Sequence, residues 1–178
     1  SALEFIERDA ILWTIRYTDI DMSIADNVKA HLLVEVDGDN IQQLYKDCED
    51  IANVMQKFDC GEILLADSES EKSKLWKLRR SISESVKANS IYKEEDTVVP
   101  RAELAKLLKG VKQIGVKYGF QSVCYGHAGD GNLHINIIKG EMSDEDWKVK
   151  LDDGIREIFY LTKKLGGTLS GEHGIGFV

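Results

Sequence analysis

Three of the four histidines in this chain fall in two glycine-rich segments, Gly126-His127-Ala128-Gly129-Asp130-Gly131-Asn132-Leu133-His134 and Ser170-Gly171-Glu172-His173-Gly174. With Gly129 to Asn132 as a hairpin tip, His127 faces His134 and Tyr125 faces Asn136 on one side of the hairpin. Directly opposed residues hold their Cβ atoms about 4.5–5.5 Å apart. Two imidazoles at that distance can converge on one divalent ion, and Glu172 can add a carboxylate. Two histidines and a carboxylate with open positions form a common catalytic metal arrangement. A single histidine beside such a turn is more simply read as turn geometry; three of four, with an adjacent Glu, favour a site. Glu172 and His173 are neighbours, and strand neighbours point to opposite faces. Both serve one site only if Gly171 and Gly174 break the strand there.

The elements that must hold these residues can be read from periodicity. Leu3 to about Tyr17 reads as an apolar-rich helix, and 19–29 as polar and irregular. His31 to Val36 is a run of strand formers ended by the turn signal Asp37-Gly38-Asp39-Asn40. Ile41, Leu44, Tyr45, Cys48, Ile51, Ala52 and Met55 mark one stripe of an amphipathic helix. Ile63 to Ala66 reads as a short buried strand, and Leu75, Leu78 and Ile82 as the stripe of a helix over 69–88. A strand over 96–100 follows, then a helix through Leu104, Leu107, Leu108, Val111 and Ile114 that Gly119 caps. Strands over 121–126 and 133–138 precede a helix from Trp147 to Leu165, and a last strand starts at Thr168. From Asp96 this order is βαββαβ, the ferredoxin-like split-βαβ pattern. The expectation is an α+β fold: a mostly antiparallel sheet, helices on one face, and the other face free for a site.

Composition narrows the function. The chain has 178 residues, 43% hydrophobic and 30% charged, with one proline. That is enough for a substantial core, and the apolar runs are too short for a transmembrane segment. Lys and Arg number 23 against 31 acidic residues, a formal net charge of −8, and no basic cluster stands out to grip nucleic acid. Cys48, Cys60 and Cys124 are scattered and odd in number, so neither a disulfide framework nor a cysteine zinc site is expected. A reducing, cytoplasmic setting follows, with membrane association arising only through an electron acceptor. No P-loop, HExxH motif, dinucleotide fingerprint or flavin-binding segment is present. The chain starts at Ser1 without Met and stops at Val178 beside the Glu172-His173 pair. It is expected to be a piece of something longer, with that pair near an end prone to fraying.

The two histidine segments, with Leu3-Glu4-Phe5-Ile6, Leu33-Val34-Glu35-Val36-Asp37-Gly38 and Trp76-Lys77-Leu78-Arg79, resemble the C-terminal domain of FAD-linked oxidases. The similar branch is that of glycolate oxidase, D-lactate dehydrogenase and D-2-hydroxyglutarate dehydrogenase. The resemblance covers nearly the whole chain; only the histidine motifs are specific. It implies a ferredoxin-like cap domain built by duplication, with half repeats of about 1–92 and 93–178, covering FAD held by a preceding domain of the same polypeptide. It further implies that His127, His134 and Glu172 hold a Zn²⁺- or Mn²⁺-like ion and that His173 is the catalytic base. Arg79, Ser83 and Asn136 would contact a small 2-hydroxy-acid substrate, with Lys93 as a second anion contact.

The chemistry is coherent. Oxidation removes the hydroxyl proton as hydride leaves the same carbon. A divalent ion stabilises the developing alkoxide, imidazole can take a proton near neutral pH, and arginine forks a carboxylate. Hydride acceptance belongs to the flavin, so the isolated chain is expected to be colourless and inactive. Taken without the resemblance, Arg79 reads as a surface residue and Arg80 as an ordinary i,i+4 partner of Glu84. A metal-dependent hydrolase using the same His-His-Glu set, and a non-catalytic binding module, are the competing readings.

Overall fold

The computed structural model describes residues 1–58 and 60–174. Its framework is a five-stranded antiparallel sheet in the order β2-β1-β4-β5-β3. The strands are β1 (Ala2–Glu7), β2 (Ala30–Glu35), β3 (Tyr92–Val98), β4 (Gln121–His127) and β5 (Asn132–Ile138). Six α-helices accompany them: α1 (Arg8–Thr18), α2 (Ile41–Met55), α3 (Glu69–Arg80), α4 (Ile82–Asn89), α5 (Leu104–Tyr118) and α6 (Asp144–Lys164). The architecture is α+β.

Period-2 alternation divides β5 between the two faces. Leu133, Ile135 and Ile137 join the core beneath α5 and α6, with Leu107, Val111 and Ile158. His134, Asn136 and Ile138 take the opposite face. That face is not left open: α1, α3 and α4 pack there on Ile6, Val123 and Ile138 through Ile11, Leu78, Ile82 and Val86. The polar site therefore adjoins a second core.

From β3 onward the ferredoxin-like order holds. β3, β4 and β5 lie in the order β4-β5-β3, and the last strand is reduced to one antiparallel bridge from Thr168 to Val98. Gly119 ends α5 in the left-handed region (φ 84°) and Gly166 follows α6 at φ 79°.

Other expectations change. Residues 2–7 form a strand, not the first turns of a helix, because pairing with β2 on one side and β4 on the other outweighs a weak local preference. β3 begins at Tyr92, four residues before the expected start, and the helix over 69–88 divides at Ser81, whose hydroxyl bonds back to the Lys77 carbonyl. Helix α2 forms, started by Asn40 accepting from the Gln42 and Gln43 amides, but none of its residues is buried. Ile63, Leu64 and Leu65 are exposed and belong to no strand, since no described strand pairs with them.

Glu95 points into the α5/α6 side of the sheet and is 8% exposed. Burial, with Glu94 alongside, pushes its carboxyl up to about 7 against the pull of Lys93. A raised acid is protonated in the folded chain while the unfolded one ionises, so the contribution of Glu95 is full below about pH 4.5 and declines as pH rises toward 7. The cost is on the order of 3 kcal/mol at the upper end. Glu95→Gln is expected to flatten this decline, raising the melting temperature at pH 8 by several degrees and leaving it nearly unchanged at pH 4.5. Parallel wild-type and variant melting curves across that range would reject the assignment.

Candidate metal and substrate site

Sheet alternation gathers the site on one face. β4 contributes Tyr125 and His127, β5 contributes His134 and Asn136, β3 contributes Glu94 and Asp96, and β1 contributes Glu4. The hairpin register differs from expectation by two residues: Tyr125 pairs with His134, and Val123 with Asn136. The tip is 128–131, because Asn132 belongs to β5, where its amide donates to Asp96 Oδ1 (2.6 Å) and to the Thr97 carbonyl. A shift of two preserves the face, so the histidines still meet. Their ring centroids are 6.0 Å apart, and that of His173 is 5.4 Å from that of His134.

Each histidine of the hairpin has a carboxylate at Nδ1. Glu4 Oε1 lies 2.8 Å from that of His127, and Glu94 Oε1 lies 3.2 Å from that of His134, close but without hydrogen-bond alignment. Such partners fix a ring and leave Nε2 as the free nitrogen. Nε2 of His127 is 3.9 Å from Glu172 Oε1. One ligand atom from each of His127, His134 and Glu172 can be chosen so that all three lie within 4.8 Å of one another. The donor set and its carboxylate support fit a divalent ion. Glu94, His134 and His173 form a second, overlapping group of the same spacing.

A cavity of about 350 Å³ opens beside these groups. His127, His134, His173 and Glu94 line it together with Arg79, Arg80 and Lys87. The lining thus mixes imidazoles and a carboxylate with three cationic side chains, and Glu4 joins the two sets, accepting from Arg79 Nε and lying 2.8 Å from His127 Nδ1. Arg79 is 9% exposed, which removes the surface reading. Its Nε donates to Glu4 Oε2 at 2.7 Å, its guanidinium lies 5.0 Å from the centre of the Tyr125 ring, and its Nη2 is buried without a partner. Arg80 lies over the Trp76 ring, and Glu84 pairs with Lys87, so the ordinary helix pair between Arg80 and Glu84 is replaced by others.

The remaining expected residues divide. Ser83 lines the cavity. The Tyr125 hydroxyl, beside Ser83 and Asn136, is pushed up to about 12 by burial and by the Glu94 charge, and so stays a donor. Asn136 is fully buried below the cavity wall; its Nδ2 donates to the Val123 carbonyl and its Oδ1 has no partner. Lys93 is not brought in. It pairs with Ile137, on the α5/α6 side, so alternation turns it away from Glu94.

Glu172 and His173 lie in a bend, not a strand. Burial alone would raise the Asp96 carboxyl, but the Glu172 and His173 amides and the Asn132 side chain outweigh it and hold it at about 2. Glu4, Glu94 and Asp96 had no motif to announce them; correct strand alternation over 92–98 would have exposed the last two.

The family model for FAD linked oxidases, C-terminal domain, matches residues 1–178. The chain is 33% identical over 177 residues to glycolate oxidase subunit GlcD of Bacillus subtilis, covering 99% of this chain and 37% of that one. It is 29% identical over 180 residues to a D-lactate dehydrogenase of Anaerostipes hadrus, covering 98% and 38%. A D-2-hydroxyglutarate dehydrogenase of Stutzerimonas stutzeri is 28% identical over 179 residues, covering 99% and 38%. The chain therefore spans little more than a third of these relatives' length. No helix among the described residues is long and apolar enough to cross a membrane.

Proposed function

The chain belongs to the C-terminal domain family of FAD-linked oxidases, and on that premise we propose that it supplies the substrate and metal site of a flavin-dependent enzyme oxidising a small 2-hydroxy acid. The observation that carries this reading is one cavity lined by the buried Arg79 and by His127, His134 and His173, with Glu172 within ligand spacing of His127 and His134. Half repeats of about 1–92 and 93–178 belong to the same reading; the antiparallel pairing of β1 with β2, followed by α2, supports it.

Arg79 receives the substrate carboxylate through its Nη atoms, since Glu4 occupies Nε. Arg80 and Lys87 also line the cavity and add positive charge, the role first expected of Lys93. His173 takes the hydroxyl proton, and the C2 hydrogen departs as hydride, so a 2-oxo acid forms with one proton and two electrons accounted for. His127, His134 and Glu172 would hold a Zn²⁺- or Mn²⁺-like ion, which supplies positive charge for the developing alkoxide. FAD on a preceding domain of the same polypeptide would supply the hydride acceptor. Glu94 and Glu172, whose partners within 4 Å in ion pairs among the described residues are histidines, support a cation here, because an anionic substrate beside unscreened acids would be repelled.

Anaerobic mixing of the full-length polypeptide with glycolate, D-lactate and D-2-hydroxyglutarate is expected to bleach the oxidised flavin band with at least one of them. Prior chelation of divalent metal should slow the bleaching, and added Zn²⁺ or Mn²⁺ should restore it. No bleaching with any 2-hydroxy acid would overturn the activity; bleaching indifferent to chelation would overturn the metal alone. The 178-residue chain by itself is expected to be colourless and inactive, and a flavin bound tightly to it would reject the division of labour between domains.

A further inference from the structure

We propose that Asp96 is a positioning residue: its carboxylate is the template on which the 171–173 backbone is wound, so that Glu172 and His173 both reach the site. The proposal rests on the functional reading above only for what those two side chains do. Asp96 sits on β3, paired with His134, and is 4% exposed. Its Oδ2 accepts from three successive backbone amides, those of Gly171 (3.0 Å), Glu172 (2.5 Å) and His173 (2.9 Å). Its Oδ1 accepts from Asn132 Nδ2. Both oxygens are thus occupied by donors within the fold.

Successive amides converging on one anion form a nest, a bend that an extended chain cannot make. This bend removes the difficulty that adjacent residues in a strand face opposite ways. The flanking residues are suited to it. The amide of Gly171 also has access to the Asp96 backbone carbonyl at 3.0 Å, and a Cβ at Gly171 would lie 2.5 Å from Asn132 Nδ2 and 2.9 Å from Asp96 Oδ1. Only glycine allows that approach. Gly174 turns the chain at φ 77° and donates to Ser170 Oγ at 2.7 Å. Ser170 and Gly174 close the bend that Asp96 organises, and Asn132 fixes the carboxylate from the hairpin that carries His127 and His134. The two histidine segments, some forty residues apart in sequence, are joined by this one side chain.

The test uses the metal-free full-length polypeptide, titrated with Zn²⁺ alone, and amide hydrogen exchange at residues 171–173. Asp96→Asn keeps the shape but turns an NH₂ or a weaker acceptor toward the three amides. It is expected to weaken zinc binding about 10–100-fold, the range for supporting-shell changes. Exchange at 171–173 should accelerate about tenfold or more while β4 and β5 keep their protection. Wild-type zinc affinity with unchanged exchange would overturn the proposal; so would acceleration spread over the whole sheet, which marks a general folding role. If the wild type binds no zinc, the metal reading falls and the exchange comparison still decides the clamp. If Asp96→Asn does not fold, Gly171→Ala, which pushes the backbone off the carboxylate, decides it by the same two readouts.

Discussion

Replacing His173 with alanine in the full-length polypeptide is expected to lower turnover of a 2-hydroxy acid by about 10²–10⁴-fold, the usual contribution of a general base. Flavin content should not change, because no flavin contact is assigned to this residue. The backbone amide of His173 is held by Asp96, while the residue lines the cavity that Arg79 also lines. Removing the ring therefore removes a proton acceptor without releasing the bend. The loss should fall on kcat, with KM for the hydroxy acid close to that of the wild type, since the carboxylate is bound elsewhere. A solvent-exposed His173 with no chemical role would give near-normal turnover, and that result would reject the assignment. Loss of flavin would show that the variant reports on domain assembly instead.

What could be read in the sequence, and what could not, follows from how each residue is specified. His127, His134, Glu172 and His173 are marked by glycines that permit tight turns, so their segments stand out locally. The hairpin register could slip by two because Asn132 reads as a turn residue; its buried bond to Asp96, on a strand far away in sequence, makes it a strand residue. Lys93 and Glu94 show the same limit. Starting β3 at Asp96 left both free to point anywhere, whereas starting it at Tyr92 sends Glu94 to His134 and Lys93 to the far face. In segment 2–7, Leu-Glu-Phe-Ile-Glu satisfies a helix about as well as a strand, and only its two neighbours decide. The stripe of α2 correctly forecast a helix but not its burial, since periodicity marks an apolar face and is silent on what covers it.

Glu4 carries no local motif at all, and its replacement is expected to disturb the Arg79 guanidinium or the His127 ring. The side chain is 4% exposed; Oε2 accepts from Arg79 Nε at 2.7 Å and Oε1 lies 2.8 Å from His127 Nδ1. One carboxylate therefore links the proposed substrate clamp to a proposed metal ligand. Glu4→Ala would leave the buried Arg79 charge uncompensated, a loss of about 3–5 kcal/mol, and would confuse unfolding with function. Glu4→Gln is the sharper experiment. An amide has one acceptor atom and one donor group, while the site demands an acceptor for the Arg79 Nε–H and another for a protonated His127 Nδ1. If the amide NH₂ faces Arg79, two donors collide and the guanidinium shifts. If it faces His127, the ring must accept at Nδ1 and carry its proton at Nε2, the nitrogen needed for a metal. Either choice disturbs one of the two partners. The expected result is a zinc affinity weakened about 10–100-fold, a raised KM for the hydroxy acid, or both, with secondary structure intact. A lower melting temperature with unchanged zinc affinity and KM would reduce Glu4 to a structural ion pair, because a carboxylate that merely stabilised the fold has no reason to alter both ligands of the cavity.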